Sequence, residues 1–359
     1  MKILEVIPKL QSGGAEKFVV DLTNELGKRS YDCTLVTLYD TDENDILSTH
    51  LDDNIKKFSL GKKMGIDLKC MFRLFQYIRK EKPNVVHAHV GAITYLILSA
   101  VLFRKCKYFA TIHSEAKREA GRGVNKIIRK FLFKYYLVHP VTISDESEKS
   151  FQVFYNRSGN LIPNGCSVYQ NLETFVTKKW REKSDYLFIH VGRLQRVKNQ
   201  ISLVKAFIRL IEDGTNVTLL ILGRKEDRQV YEEIKPYFSE NIVYLGEQSD
   251  CRAYMSECDA FCLSSTMEGM PITIIEAFSV GCIPIVTPVG GCVNMIEDGV
   301  NGILTTEVSE KSIYLSLKRF VNLNNAERTK LSLNAKKTYE IKYSIKKSAS
   351  EYIYLFERL

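Results

Sequence analysis

The stretch "STMEGMPITIIEAFSVGCIPIVTPVGG", Ser265 to Gly291, holds two carboxylates, Glu268 and Glu276, with seven residues between them and a Gly-Met-Pro-Ile loop inside the interval. Pro271 suits the first turn of a helix, where its missing N–H is no loss, so the apolar run that follows is expected to begin a helix there. The unpaired N–H groups and positive dipole end of such a helix favour an anion. Carboxylates beside it can accept hydrogen bonds from a pair of sugar hydroxyls. Taken alone, the same residues also fit a Glu268 that merely complements the dipole and a Glu276 that faces solvent.

A second group follows the strand-like run "DYLFIHV": Gly192 and Arg193, then Lys198 just ahead of a helical run. Two cations after a strand can hold a diphosphate without a metal, Arg as a fork and Lys as a point charge. A third group is "QSGGAEKF", where Gly13 and Gly14 let backbone approach a ligand. Neither G-x-G-x-x-G nor G-x-x-x-x-G-K-[ST] is present, which weakens a dehydrogenase and an ATP-hydrolysing P-loop. His87 and His89 share one strand face at a spacing that could hold a metal, but no third ligand is evident nearby in the sequence. No metal site is expected; a cleft-lining place fits these two better, and His50, His139 and His190 receive no role.

Those residues must be positioned by something regular. Short β-branched runs alternate with amphipathic helical stretches, first in "KILEVIP", "DCTLVTLYD", "NVVHAHV", "KYFATIHS" and "HPVTISD", then again in "DYLFIHVG", "NVTLLILG", "NIVYLGE", "DAFCLSS" and "CIPIVTP". The expected fold is α/β, two Rossmann-like doubly wound domains facing across a cleft. A length of 359 residues agrees with two cores. The expected divisions are an N-terminal Rossmann-like domain at 1–165, a linker at 166–183 carrying Trp180, a C-terminal Rossmann-like domain at 184–337 and a helical tail at 338–359. In open α/β sheets ligands bind beyond the carboxyl ends of strands, which is where all three groups fall.

Composition narrows the setting. Nine scattered cysteines without a Cys-x-x-Cys pair argue for a reducing, cytoplasmic location. Glu5 and Pro8 break the apolar start, so no secretory signal is read, and "AITYLILSAVLF" (Ala92 to Phe103) is too short to span a bilayer and is expected to be a buried helix. Residues 1–179 carry 28 Lys+Arg against 19 Asp+Glu, so the whole net charge of +9 lies in the first half. A basic half points to an anionic partner, yet no single-strand platform or recognition helix supports nucleic acid.

"VGRLQRVKN", "EGMPITIIEA", "PVGG" and "IEDGVNGIL", preceded in order by "SGGAE", "HAHV", "TIHS" and "IPNG", resemble the retaining glycosyltransferases of family four, which have the GT-B fold. The resemblance covers nearly the whole chain, and it implies an acceptor-binding domain at 1–165, a nucleotide-sugar-binding domain at 184–337 and a tail at 338–359 that returns to the N-terminal domain. It implies that Arg193 and Lys198 hold the donor diphosphate, that Glu276 binds the nucleotide ribose and that Glu268 faces the transferred sugar. It further implies backbone contacts from Gly192, Gly269, Met270, Pro271 and Ile272, a place for His113 near the donor sugar, and a place for Gly13 and Gly14 beside the diphosphate and acceptor. Many members have Gly where this chain has Pro271, and the usual Glu after the paired glycines is Asn294, which removes any contact assigned to that Glu.

The resemblance implies a hexose or N-acetylhexosamine transferred from a nucleotide-sugar, UDP by frequency in the family, to a saccharide or polyprenyl-diphosphate-linked acceptor in surface polysaccharide synthesis. Neither a divalent metal nor another cofactor is expected. The rivals are a nucleotide-sugar 2-epimerase, a phosphorylase, a non-catalytic sugar-nucleotide-binding subunit and a basic anion- or nucleic-acid-binding protein. "KREAGRGVNKIIRKFLFKYY" (Lys117 to Tyr136), with Lys117, Arg118, Arg122, Lys126, Arg129 and Lys130 among apolar residues, is expected either to lie on an anionic bilayer at the inner face of the membrane or to pack on its own domain.

Overall fold

All ten β-branched runs form strands of two parallel sheets in the computed structural model, which describes residues 1–11, 13–40, 42, 45–168 and 176–359. Contacts divide the chain into one unit of Met1–Ser167 with Tyr343–Leu359 and another of Val168–Lys342. The first holds β1 (Lys2–Ile7), β2 (Asp32–Thr37), β3 (Lys56–Ser59), β4 (Val85–His89), β5 (Lys107–Ile112), β6 (His139–Thr142) and β7 (Asn160–Leu161) in the order 3-2-1-4-5-6-7. The second holds β8 (Tyr186–Val191), β9 (Val217–Leu222), β10 (Ile242–Gly246), β11 (Ala260–Leu263), β12 (Ile283–Val286) and β13 (Ile303–Leu304) in the order 10-9-8-11-12-13. Each order reverses direction once, between β1 and β4 and between β8 and β11. Crevices at such reversals are where doubly wound sheets bind ligands.

β3, β7 and β13 are strands that the apolar pattern does not reveal. All three lie at sheet edges, two have only two residues, and β3 turns Lys56 and Lys57 to solvent. Edge strands are kept short and charged to discourage pairing with other chains, and that treatment erases the alternation by which strands are recognised.

The central strands are buried on both faces by helices. In the second unit Phe188 meets Phe207 and Phe320 edge-on, at centroid distances of 5.1 and 5.4 Å. The helix Gln200–Glu212 lays Leu203, Val204, Phe207 and Leu210 on that core, and the chain leaves it through Gly214 at φ +85°, a left-handed position suited to glycine. "AITYLILSAVLF" is not one buried helix. A 3-10 stretch, Val90–Leu96, is mostly buried, and the short helix Ile97–Leu102 that follows leaves Val101 and Leu102 exposed.

Of the expected linker at 166–183, residues 169–175 lie outside the described residues, while Thr177 donates through N–H and hydroxyl to Glu257 of the second unit. The tail is helical: Asn325–Thr338 begins with a capping box between Asn324 and Glu327, a π turn covers Tyr339–Tyr343, and a last helix, Ile345–Arg358, buries Tyr352 and Phe356 in the first unit. All nine cysteines are free thiols. Among the described residues no helix is long and apolar enough to cross a membrane.

Candidate active site

In the second unit the two flanks of the strand reversal carry the chemistry. β8 runs out into Gly192 and Arg193, and a single 3-10 turn, Arg196–Lys198, sets Lys198 ahead of the helix Gln200–Glu212. β11, hydrogen-bonded beside β8, runs out into Ser264, Ser265 and Glu268. Sheet neighbours thereby bring together residues far apart in sequence: Lys198 Nζ lies 2.6 Å from Glu268 Oε1, a charge-assisted contact in which both side chains are mostly buried. Ser265 donates to the same carboxylate oxygen at 2.5 Å. Ser264 donates to the Lys198 carbonyl, and the Thr266 N–H to Val197, so the two loops are tied at backbone level.

Pro271 is the cap of the helix Ile272–Val280, one residue earlier than its first turn. Its ψ of 116° is extended and no side chain caps the helix, whose first N–H groups follow the Glu268–Met270 loop directly in the chain. Glu276, in the second turn, is buried. The solvent-facing alternative for it therefore does not hold, and the Cys251 thiol donates to its Oε2 at 3.4 Å.

The paired glycines close the loop from behind. A Cβ on Gly290 would stand 1.8 Å from the Glu268 carbonyl oxygen, and one on Gly291 would stand 1.9 Å from that of Gly269. Only residues without a side chain let the loop after β12 lie on the Glu268–Gly269 backbone, where the Gly291 N–H donates to Gly269 at 2.9 Å.

Arg193 is exposed, with Glu226 Oε1 3.9 Å away. Its backbone is held by residues that received no role in the sequence reading. Gln200 donates to the Arg193 carbonyl at 2.9 Å, and its amide also meets His190 Nε2. His190 Nδ1 in turn faces the Cys262 carbonyl of β11. Burial pushes His190 down to about 4, so the ring is neutral and bridges the two strands as one donor and one acceptor. Gly223, at the end of β9, would drive a Cβ within 2.0 Å of the Gly192 carbonyl. The signal for it is the glycine that ends "TLLILG".

Comparison with known proteins gives the family and the fold. The model of glycosyl transferases group 1 matches residues 173–338, and that of glycosyltransferase family 4 matches residues 12–168. The chain belongs to the family-4 glycosyltransferases. It is 24% identical over 357 residues, 96% of each chain, to the α-1,4-N-acetyl-D-galactosaminyltransferase of Campylobacter jejuni that is named for a diphospho-undecaprenol-linked saccharide. It is 24% identical over 307 residues, 79% of this chain and 81% of the other, to the capsular polysaccharide biosynthesis glycosyltransferase CapH of Staphylococcus aureus. Among solved structures, that of HepE from Anabaena in complex with UDP-glucose superimposes at a TM-score of 0.81 over 100% of both chains with 20% identity, which shows the shared GT-B fold.

In the first unit of this glycosyltransferase, Gly13 caps the helix Gly14–Lys28 in an extended conformation. A Cβ there would meet only the flexible end of Glu16, so Gly13 is not required by packing, and Ser12 lies outside the described residues. His113 follows β5, and its Nε2 lies 3.0 Å from His89 Nδ1. The third partner for His87 and His89 that the sequence did not reveal is Glu5, opposite His87 in the β1–β4 register. Glu5 Oε2 lies 3.0 Å from His87 Nδ1 and 2.8 Å from His89 Nε2, and none of the three is exposed. His87 Nε2 continues to the Thr111 hydroxyl at 2.7 Å, and Thr111 to the Tyr352 hydroxyl at 2.8 Å. The signal available in the sequence was a carboxylate in the middle of an apolar central strand, a placement that is rare unless the group is paired.

Proposed function

We propose that this glycosyltransferase moves a hexose or N-acetylhexosamine, with retention of configuration, from a UDP-sugar to a saccharide or polyprenyl-diphosphate-linked acceptor in the synthesis of a surface polysaccharide. The observation that carries the reading is the Lys198–Glu268 contact at the β8–β11 reversal, with Arg193 on the same loop as Lys198 and the helix Ile272–Val280 beginning just after Glu268 in the chain. Cleavage of the anomeric C–O bond leaves negative charge on the diphosphate and positive charge on the sugar ring. Lys198, Arg193 and the helix end meet the first from fixed positions, the work that a divalent metal does in other transferases. Glu268, acceptor-only when ionised, takes hydroxyls of the transferred sugar and orients it. The acceptor oxygen bonds to the anomeric carbon on the face that the diphosphate leaves, and the acceptor's proton passes to the departing phosphate oxygen. Glu276 accepts from the ribose. The N-acetylgalactosaminyltransferase of C. jejuni and CapH support the acceptor class and pathway, and the UDP-glucose complex of HepE supports the nucleotide.

A thermal-shift panel of UDP, GDP, ADP and UDP-sugars, each with and without EDTA, tests this. The expected result is stabilisation by the uridine series alone, unchanged by EDTA. At a ligand concentration a hundredfold above Kd, binding adds about 2.7 kcal/mol. Abolition of the shift by EDTA would remove the metal-free part of the reading, and no shift with any nucleotide would remove the donor.

The same reading places the protein at an anionic membrane surface. The segment from Lys117 is split by Gly121 and Gly123 into two helices, Ala116–Glu119 and Val124–Lys134. Arg129 does not join the basic face: it is buried, donating to the Val90 carbonyl at 2.6 Å. Val124, Ile127 and Phe131 form an outward apolar stripe, Ile127 being 68% exposed, with Arg122, Lys130 and Lys134 beside it. A stripe that were merely the inner face of a packed helix would be covered; this one is open, flanked by cations that match anionic headgroups. The protein is expected to float with phosphatidylglycerol vesicles at low salt, and I127S/F131S to remain in the soluble fraction. Equal behaviour of the two would end the membrane assignment.

A further inference from the structure

Three histidines and one carboxylate form a continuous chain of contacts in the first unit, and elementary donor–acceptor rules give that chain a direction. Glu5 is fully buried between two rings. Burial opposes its ionisation, but the charge of His87 and the hydrogen bonds from His87 and His89 outweigh it and take the carboxyl down to about 2. An ionised carboxylate only accepts, so the His89 nitrogen facing it, Nε2 at 2.8 Å, carries a proton.

His89 is fully buried and pushed down to about 4 by that burial and by the nearby charge of His87, so near neutral pH it holds a single proton. With that proton on Nε2, Nδ1 is a lone pair. The group 3.0 Å from this lone pair is His113 Nε2, which must therefore be the protonated nitrogen of its own ring, since two lone pairs would repel at that distance. Burial also holds His113 well below the ordinary histidine range, so it too is neutral and its remaining nitrogen, Nδ1, is a lone pair. The His87–Thr111–Tyr352 limb does not alter this, because Glu5 Oε2 accepts from His89 whichever way the two hydroxyls point.

His113 Nδ1 is the one ring nitrogen of these three histidines without a hydrogen-bond partner among the described residues, and it is covered from solvent although the ring is partly exposed. Leaving a buried acceptor unmade costs about 1–3 kcal/mol, and a native structure that keeps one calls for a reason outside the chain's own contacts. The ring is also wedged in place: Phe18 meets it edge-on at 5.9 Å, and its backbone N–H donates to Glu119 at 2.8 Å.

We infer that Glu5 and His89 are positioning residues that lock His113 in the tautomer with a bare Nδ1, making His113 a hydrogen-bond acceptor for a sugar hydroxyl and not a donor to a phosphate or a general acid. The identity of the hydroxyl rests on the glycosyl-transfer reading above; the tautomer does not.

The test is a long-range 1H–15N correlation spectrum of protein labelled at histidine, with His113 assigned by its loss in H113Q. The expected spectrum between pH 6 and 8 shows one pyridine-like nitrogen, Nδ1, and one pyrrole-like nitrogen, Nε2, without change across the range. The opposite tautomer, or a protonated ring, would overturn the inference outright. In Glu5→Met, which removes the acceptor that orients His89, His113 is expected to become a mixture of both tautomers. An unchanged His113 in a folded Glu5→Met protein would show that the relay does not set it. Because the spectrum needs no substrate, the predicted tautomer in a protein that binds no nucleotide-sugar would leave the relay standing and sink the donor assignment instead.

Discussion

Replacing Lys198 with alanine is expected to lower kcat for sugar transfer by about 10²–10³-fold, the range found when a single preorganised charge or donor is removed from a reacting centre. In the proposed mechanism the effect falls on kcat, because the diphosphate gains charge as the bond to the sugar breaks and Lys198 would meet that charge most strongly in the transition state. Its other partner is Glu268, 2.6 Å away, which keeps the Ser265 hydroxyl when the amine is gone. The fold should therefore survive: the pair is tied to two strands whose other hydrogen bonds are untouched, and a change of about 1 kcal/mol moves Tm by roughly 2–4 °C in a unit of this size. Lys198→Arg is expected to restore only part of the rate, because a planar guanidinium does not fit the geometry that a compact ammonium makes with Glu268. Steady-state kinetics with a melting curve on each variant decide the matter. A K198A protein with wild-type kcat would remove Lys198 from the mechanism.

Gly290→Ala is expected to damage the site as severely without touching a charged group. The new Cβ would stand 1.8 Å from the Glu268 carbonyl oxygen, and because that neighbour is backbone it cannot rotate away. The residue also sits at φ +47°, where any side chain is strained. The Glu268–Gly269 segment must move, and a displacement near 1 Å at a positioned group is enough to cost about a hundredfold in rate. Stability is expected to fall by about 3 kcal/mol, a size that single substitutions reach through steric conflict or strain. Gly214→Ala supplies the control. Its φ is +85°, but nothing lies within 4 Å of the added carbon, so only the left-handed cost of about 1 kcal/mol applies and activity should persist. Equal losses in the two variants would show that conformational strain, not contact with the Glu268 backbone, is what Gly290 avoids.

What the chain reveals before folding is uneven, and the unevenness has physical causes. The central strands advertise themselves because both faces are buried, so "NVTLLILG" can hardly be anything else. The edge strands β3 and β13 are short or charged by necessity and pass for loops. Arg193, Lys198, Glu268 and Glu276 stand out through the ordered motifs that hold them, since each taken alone also fits a structural role. Glu5 does not, since its meaning depends on β1 lying next to β4, a pairing of residues about 80 apart that no local pattern encodes. The same holds for His190, whose role appears only when β8 and β11 become neighbours. Arg129 shows the converse: its type and spacing place it on a basic face, and the fold turns it inward to the Val90 carbonyl. The paired glycines fall between these cases. Their presence is visible in "PVGG", but the reason for them, two backbone carbonyl oxygens within 2 Å of any side chain, exists only in three dimensions.

The central claim is that the β8–β11 reversal of the second unit binds the donor's diphosphate through Lys198 and Arg193, with Glu276 on the ribose. A crystal structure of the protein with UDP tests it most directly. The account predicts phosphate oxygens within hydrogen-bonding distance of Lys198 Nζ and the Arg193 guanidinium, near the N-terminus of Ile272–Val280, and a ribose diol on Glu276. UDP ordered anywhere else, with the Lys198–Glu268 contact unchanged and no phosphate against it, would contradict the account.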